Sequence, residues 1–260
     1  MTLEDDLALA HELADAADAI TLDRFGAVDL AVRSKPDLTP VSDADLAVEQ
    51  AIRRSLASRR PDDAVLGEED GETGTGSRRW VVDPVDGTKS FVRGVPVWAS
   101  LIALQQDGEV VAGVVSAPAL SRRWWAARGL GAHAGGSLGT ARRLRVSAVE
   151  TLADASVSYS SLTGWEEQGR LPGLLQLSRD VWRTRAYGDF WSHVMVAEGA
   201  VDVSCEPEVS LWDLAPLQVV VEEAGGRFTD LAGRARPDGG SVVCSNGVLH
   251  DEVLQRLAPG

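Results

Sequence analysis

The spacing of apolar residues along the chain predicts a series of helices. Near the N-terminus, apolar residues recur every three or four positions, which predicts an amphipathic helix over roughly the first 24 residues. The residues that define this spacing are Leu3, Leu7, Ala10, Leu13, Ala17 and Ile20. A second helix is predicted after Ser42 or Asp43, which are both candidate N-caps. Further helices are predicted over 171–177, 189–198, 213–223 and 248–257.

Short apolar runs bounded by Gly, Pro and Asp predict the strands. Two such runs, 97–105 and 110–117, are joined through Asp107-Gly108, which is a strong signal for a β-hairpin. Residues 123–128 are a candidate for a third antiparallel strand. The other candidates are 28–32, 64–66, 80–82, 156–160, 181–185, 201–205, 227–229 and 242–245. The pattern therefore predicts a protein that mixes α and β structure.

Length and charge narrow the classes of protein that fit this pattern. At 260 residues, the chain fits one large domain or two tightly joined halves, which we expect at 1–150 and 151–260. The first half would carry metal-binding loops and an antiparallel sheet, and the second would complete the active site. The net charge of −14 argues against a nucleic acid as the main partner.

The cysteines and the hydropathy of the chain indicate the cellular compartment. The two cysteines, Cys205 and Cys244, form no CxxC motif, so neither a disulfide framework nor a zinc site is expected. The N-terminus carries no apolar run of the signal-peptide type. No stretch approaches the ~20 apolar residues of a membrane span. We therefore expect a cytoplasmic protein that binds no membrane.

The clearest chemical signal is the stretch from Val81 to Lys89. The apolar run 80–82 predicts a buried strand that stops at Asp83, because the following proline disfavours continued regular structure. Asp86 and Gly87 come directly afterwards. One interpretation is an ordinary Asp-Pro and Asp-Gly turn. The other is a loop that aims both carboxylates at a metal ion and its backbone amides at an anion.

Two further acidic residues have the same kind of surroundings. Glu68 follows the predicted strand 64–66, and Asp213 opens the predicted helix 213–223. A solvated turn would explain Glu68, and simple helix capping would explain Asp213. Carboxylates gathered from the ends of separate elements are, however, typical of a multi-metal phosphoryl-transfer site. Oxygen ligands of this type favour Mg²⁺.

Four motifs carry a family resemblance. They are Lys35-Pro36-Asp37 through Ala44-Asp45, Gly67-Glu68-Glu69, Trp80 through Phe91, and Trp212-Asp213-Leu214-Ala215. With these motifs in this order, the chain resembles the inositol monophosphatase superfamily of Mg²⁺-dependent, lithium-sensitive phosphatases. The resemblance implies an α/β fold of the sugar-phosphatase type, an α/β/α/β/α sandwich. It also implies a homodimer.

The resemblance further implies a role for each motif residue. One metal would be held by Glu68, Asp83 and the Val85 carbonyl, and a second by Asp83, Asp86 and Asp213. A third, weaker metal would be held by Glu68 with help from Asp45. The phosphate would be cradled by Asp86, Gly87, Thr88 and Lys89, chiefly through backbone amides. Thr88, Glu68 and Asp37 would orient the attacking water, with no covalent phosphoenzyme.

The choice of substrate is expected to depend on residues 185–191 and on Glu206. In particular, the chain resembles the actinobacterial branch of the superfamily that acts on histidinol phosphate in histidine biosynthesis. Asp189 and Glu206 could pair with the ammonium and imidazole of that substrate, and Arg185 could contact it near the phosphate. The aromatic residues of this segment, Tyr187, Phe190 and Trp191, could equally pack in the core, and Glu206 could be a solvated loop acid.

Other substrates within the superfamily are inositol monophosphate, fructose-1,6-bisphosphate and 3′-phosphoadenosine 5′-phosphate. The last would need a basic nucleotide pocket, against which the acidic balance argues. A catalytically dead ligand-binding module is the alternative outside the enzymes. Such a module would lack one of the metal-binding residues, whereas suitable residues stand at all the expected positions.

Overall fold

The computed structural model describes residues 2–36, 38–136 and 141–258. The α-helices are α1 (Leu3–Arg24), α2 (Asp43–Arg59), α3 (Thr88–Val92), α4 (Leu162–Glu167), α5 (Leu171–Asp180), α6 (Asp189–Ala197), α7 (Leu211–Glu223) and α8 (His250–Arg256). The strands of the first half are β1 (Val32–Ser34), β2 (Pro40–Ser42), β3 (Ala64–Gly67), β4 (Gly71–Thr73), β5 (Arg78–Asp86), β6 (Ala99–Gln106), β7 (Glu109–Ala117), β8 (Arg122–Ala127), β9 (Gly131–Gly135) and β10 (Arg142–Arg143). Those of the second half are β11 (Ser156–Tyr159), β12 (Arg183–Arg185), β13 (Val203–Glu206), β14 (Arg227–Thr229) and β15 (Val242–Ser245).

These strands form a large sheet, a smaller sheet and a short hairpin. In the described residues, the large sheet has the strand order β10-β9-β8-β7-β6-β5-β3-β4, and its one parallel pair is β3 with β5. The smaller sheet has the order β12-β11-β13-β15-β14 and is parallel on the β12 side of β13. Strands β1 and β2 pair with each other.

Alternation of side chains along the strands divides the core into layers. Trp80 and Val82 of β5 pack with α1 and α2 on one face of the large sheet, whereas Val81 packs with α6 and α7 on the other. Helices α6 and α7 also cover the inner face of the smaller sheet through Cys244. The outer face of that sheet packs through Val243 on α4, α5 and α8. This order of layers confirms the predicted α/β/α/β/α sandwich.

The hairpin prediction holds, and two strand predictions need correction. Asp107 and Gly108 both have positive φ, as a tight two-residue turn between β6 and β7 requires. Strand β5 does not stop at Asp83 but continues to Asp86, because β6 pairs with it at Asp83 and again at Asp86. The strand predicted over 28–32 lies too early in the chain: β1 begins only at Val32, and Val28 is fully exposed in a turn.

The division of the chain near residue 150 stays a proposal. We base it on the sheets, since the large sheet is built from residues 64–143 and the smaller one from residues 156–245. Helix α7 belongs to the second half but packs on strands of both sheets. We therefore expect the two halves to unfold together.

Among the residues that the structure describes, no helix combines the length and the apolar character of a membrane-spanning segment.

Candidate active site

The parallel pairing of β3 with β5 brings the first two acidic motifs together. Gly67, at the end of β3, lies opposite Val82 of β5, and the Glu68 N–H donates to the Val82 carbonyl at 3.2 Å. Glu68 therefore follows its strand at the same level as Asp83, the residue after Val82. This is the only parallel pair among the described strands of the large sheet, so it alone places the carboxyl ends of two neighbouring strands side by side at one edge.

A bulge at the end of β5 gives Asp83 and Asp86 a common direction. The pairing of β5 with β6 shifts register between these two residues. The Val85 N–H donates to Asp83 Oδ1 at 2.9 Å, which fixes the carboxylate inside the bulge. Gly87 then turns the chain into α3 with a φ of +83°, and a side chain there would press on the Val97 carbonyl.

The start of α7 supplies the third carboxylate of the cluster. Ser210 caps this helix, and its N–H donates to Asp213 Oδ2 at 2.7 Å in a capping box. Asp213 is thus in the first turn rather than at the N-cap itself. Carboxylate oxygens of Asp83, Asp86 and Asp213 all lie within 4.8 Å of one another, a spacing that one cation can bridge.

The electrostatics of this cluster favour a bound cation. Burial, together with Glu68 and the other two carboxylates, raises the pKa of Asp83 well above its usual range. Burial and the nearby Asp189 and Asp213 do the same for the pKa of Asp86. Burial and neighbouring acids raise the pKa of Asp213 to about 7. These shifts mean that burial and mutual repulsion both disfavour the ionised carboxylates, and a cation held between them would offset that cost.

Glu68 has a partner that the sequence did not indicate. The Lys35 ammonium lies 2.7 Å from Glu68 Oε1 and 2.6 Å from Glu69 Oε1. Burial opposes the charge of Lys35, but the two carboxylates outweigh it and raise the pKa of the ammonium. Lys35 is the first residue of the motif that runs from Lys35 to Asp45, yet only the tertiary fold reveals which acids it contacts.

A buried glutamate on α2 holds the turn that carries Glu68. Glu49 is fully buried, and its carboxylate accepts from the N–H groups of Glu69 and Asp70 at 2.8 and 3.0 Å. Arg53, one turn further along the helix, donates to the same carboxylate at 2.9 Å. Glu49 was not predicted from the sequence. Its one available signal was that an acid four residues after Asp45 falls on the buried side of the helix.

Thr88 is held by two acceptors near the cluster. Its hydroxyl lies 2.9 Å from the Val85 carbonyl and 3.3 Å from Asp45 Oδ1. The other oxygen of Asp45 accepts from the N–H and the hydroxyl of Ser42. Burial raises the pKa of Asp45 above its usual range, although the bonds from Ser42 oppose this. Asp37, predicted to help orient water, lies outside the described residues.

A cavity of about 620 Å³ joins these residues to the predicted substrate contacts. The residues predicted from the sequence that line it are Glu68, Asp83, Val85, Asp86, Gly87, Thr88, Lys89, Asp189, Glu206 and Asp213. Asp45 is not in contact with it directly but reaches it through Thr88. The acids Glu167 and Glu208, which the sequence analysis did not single out, add to its negative charge.

The segment from 185 to 191 divides between the cavity and the core. Asp189 lines the cavity, whereas Arg185 does not; it is exposed and donates to the Thr184 carbonyl. The Tyr187 and Trp191 rings pack on each other and against the core, as the alternative interpretation expected. Phe190 is buried, and its N–H donates to Asp86 Oδ2 at 2.7 Å.

Asp189 is placed by an unusual backbone. Its φ of +51° is in the left-handed region, a conformation that costs energy for a residue with a side chain. A Cβ at Gly87 would lie 3.4 Å from Asp189 Oδ2, so this carboxylate rests against the glycine turn. Burial and the neighbouring Glu206 raise the pKa of Asp189 to about 6, which leaves it ionised at neutral pH.

Comparison with known proteins agrees with this geometry. The model of the inositol monophosphatase family matches residues 2–259. The chain is 63% identical to histidinol-phosphatase of Streptomyces coelicolor, with 97% of each chain covered, and 60% identical to histidinol-phosphatase of Mycobacterium tuberculosis, with 98% and 99% covered. The solved structure of the extragenic suppressor protein suhB from Bartonella henselae has a TM-score of 0.90 at 30% identity, covering 98% of this chain and 99% of that one. Together with the carboxylates of β5 and α7, these matches show that the chain belongs to the inositol monophosphatase family.

Proposed function

We propose that this protein is a Mg²⁺-dependent phosphatase that hydrolyses L-histidinol phosphate to L-histidinol and phosphate in histidine biosynthesis. The observation that carries the proposal is one cavity lined both by the Asp83, Asp86 and Asp213 cluster and by two further acids, Asp189 and Glu206. The name of the 63% identical relative supports the same substrate.

The donor atoms of the cluster fit Mg²⁺, which prefers oxygen ligands. We propose that Glu68, Asp83 and the Val85 carbonyl hold one ion, and that Asp83, Asp86 and Asp213 hold a second. A third, weaker site would use Glu68 with help from Asp45. When bound, such ions neutralise phosphate oxygens, lower the pKa of a coordinated water and stabilise the departing alkoxide.

The residues after the bulge are suited to hold the phosphate and to orient the water that attacks it. The backbone amides of Gly87 and Thr88, with the exposed Lys89, would cradle the phosphoryl oxygens. Thr88 can donate its one hydroxyl proton to Asp45 or to Val85, which leaves oxygen lone pairs to accept from a water. With Glu68, it would orient that water for attack on phosphorus. The P–O bond to histidinol would break as the bond from the water oxygen to phosphorus forms, and the proton that this water loses would balance the one that the departing alkoxide gains.

Asp189 and Glu206 would determine which alcohol the phosphate ester can carry. Histidinol carries an ammonium and an imidazole, whereas inositol carries only hydroxyls. The Asp189 and Glu206 carboxylates line the cavity and would pair with these nitrogen groups. Because Arg185 does not line the cavity, we no longer expect it to reach the substrate within one chain.

Phosphate release tests this proposal directly. The purified protein is given histidinol phosphate, inositol-1-phosphate, fructose-1,6-bisphosphate and 3′-phosphoadenosine 5′-phosphate at increasing Mg²⁺. Histidinol phosphate should be hydrolysed best, and EDTA should abolish the reaction. Rapid hydrolysis in EDTA would contradict the metal assignment.

The resemblance to the family also supports two properties of the intact enzyme. We expect a homodimer, which light scattering of the purified protein would detect. Inhibition by lithium is expected as well, and would be measured in the same phosphate-release assay.

A further inference from the structure

A buried histidine in the cavity wall contacts Glu206, one of the two acids proposed to select the substrate. His193 lies one turn after Asp189 on α6 and lines the same cavity. It is nearly inaccessible to solvent, with 1% of its surface exposed. A buried imidazole of this kind must find partners for both ring nitrogens, since an unpaired one would lose its hydrogen bonds to water.

Both nitrogens find those partners on strand β13. Nδ1 lies 2.9 Å from the Ser204 hydroxyl, and Nε2 lies 3.1 Å from Glu206 Oε1. Ser204 and Glu206 are two residues apart, so their side chains leave the same face of the strand. Cys244, paired with Ser204 on the neighbouring strand, closes the pocket 3.5 Å from Nδ1. The ring is thus locked in place at both ends.

We propose that His193 is a positioning residue that fixes the Glu206 carboxylate for the cationic part of the substrate. The inference rests on the proposed function, in which Glu206 binds the cationic part of the substrate. With Oε1 engaged by His193, Oε2 is left to accept from a substrate N–H. Burial opposes protonation of His193, but the contacts with Cys244 and Glu206 outweigh it and raise its pKa, which keeps a proton on Nε2.

Two substitutions at this position separate the contact with Glu206 from simple packing. His193→Gln keeps an N–H near the position of Nε2, and His193→Asn keeps one near that of Nδ1 only. The Asn variant should raise KM for histidinol phosphate roughly 10- to 100-fold, the cost of a lost hydrogen bond to a charged group. Its kcat should stay within about threefold, and the Gln variant should recover most of the loss.

β-Glycerophosphate, a phosphomonoester without a cationic group, serves as the second substrate. The Asn variant should hydrolyse it with a kcat/KM within about threefold of that of the unmodified protein. In a Glu206→Gln background, adding His193→Asn should change the KM for histidinol phosphate little, because the two residues act as one unit.

His250 provides a matched control. It is also fully buried, and its ring nitrogens lie 2.8 Å from the hydroxyls of Thr229 and Ser245, but it does not line the cavity. His250→Asn should lower the melting temperature without changing the ratio of kcat/KM for the two substrates. If His193→Asn fails to fold, Ser204→Ala, which frees only the Nδ1 end of His193, should raise KM for histidinol phosphate alone.

Equal loss on both substrates in His193→Asn, or in Ser204→Ala where the Asn variant does not fold, would overturn the inference and leave a packing role. An unmodified protein that prefers β-glycerophosphate would instead overturn the proposed function, and the inference with it.

Discussion

At the level of single residues, the site is a group of carboxylates whose charges are only partly compensated. Asp83 and Asp86 are buried, and both have neighbouring acids that raise their pKa. Lys35 offsets the charge of Glu68 and Glu69, but the three clustered aspartates make no comparable ion pair within the described residues. The stability and the activity of the protein should therefore both respond to a divalent cation.

Asp83 is the residue whose loss should cost the most activity. Asp83→Asn keeps the shape of the side chain and can still accept from the Val85 N–H, but it removes a charge proposed to serve two metals. We expect kcat to fall by at least about 10³-fold with the fold intact. Phosphate release and circular dichroism would check this.

Asp202→Asn is the matched control, because Asp202 is buried and hydrogen-bonded but does not line the cavity. That variant should lose stability and keep its specific activity. Near-normal turnover of Asp83→Asn would refute the metal assignment.

The raised pKa of Asp213 predicts how stability depends on pH. Between its ordinary value of 3.8 and about 7, native Asp213 holds a proton that the unfolded chain has released. The unfolded state binds fewer protons there, so the free energy of unfolding falls as the pH rises through this window. Mg²⁺ needs the ionised carboxylate, so it should raise the melting temperature more above this window than within it.

Thermal melts in EDTA and in Mg²⁺, at about pH 5 and about pH 8, measure both effects. Asp213→Asn can still accept from the Ser210 N–H but cannot titrate, so its melting temperature should depend less on pH and on Mg²⁺. An unchanged pH dependence in this variant would exclude Asp213 as its source.

The sequence predicted the acidic residues of the site better than their partners. Glu68, Asp83, Asp86 and Asp213 stand next to Gly, Pro or a helix start, so local patterns mark them. Lys35 meets Glu68 across 33 positions of sequence, and no local pattern encodes such a contact. The same is true of His193, whose partners lie on a different element.

At the level of secondary-structure elements, the bulged end of β5 and the turn after β3 set the geometry. The sequence predicted that β5 would stop at Asp83, because Pro84 lacks an N–H and disfavours a strand interior. The structure instead absorbs the proline in a register shift and resumes pairing at Asp86. Strand β6 makes this possible by pairing with Asp83 and again with Asp86, and pairing of that kind cannot be inferred from one segment alone.

The turn after β3 depends on the absence of a side chain at Gly67. A Cβ there would overlap the carboxylate of Glu49, which holds the N–H groups of Glu69 and Asp70. Gly67→Ala should therefore displace Glu49, lower stability by about 1–3 kcal/mol and weaken Mg²⁺ activation by misplacing Glu68. Melting temperature and the Mg²⁺ concentration for half-maximal activity would measure this.

Gly136→Ala is the control for that substitution. Gly136 is exposed, and the nearest atom to its added Cβ would be 3.7 Å away, so the variant should behave like the unmodified protein. Equal Mg²⁺ dependence of Gly67→Ala and Gly136→Ala would show that Glu49 does not position the turn.

At the level of the whole molecule, the central helices join the two sheets. Helix α7 carries Asp213 to the carboxylates of β5 and packs on both sheets, so the site and the core share one element. The layered α/β fold was predictable from the family resemblance, whereas periodicity alone indicated only mixed α and β structure. Which helices lie between the sheets depends on long-range packing that local periodicity does not contain.

Because the same central helices pack on both sheets, we expect the molecule to unfold cooperatively. Urea unfolding followed by far-ultraviolet circular dichroism and by tryptophan fluorescence should give coincident, single transitions. Trp80 and Trp124 report on the large sheet, and Trp165 reports on the outer layer of the smaller one. Two separated transitions would mean that the halves on either side of residue 150 fold independently.

We propose that this cavity hydrolyses a phosphate ester whose alcohol is cationic. The most direct test is the ratio of kcat/KM for histidinol phosphate to that for inositol-1-phosphate, measured in saturating Mg²⁺. Because Asp189 and Glu206 line the cavity, we predict a ratio of at least about 10², the worth of one or two charge-assisted hydrogen bonds. Comparable values of kcat/KM for the two substrates would contradict the claim and leave only a phosphatase of broad specificity.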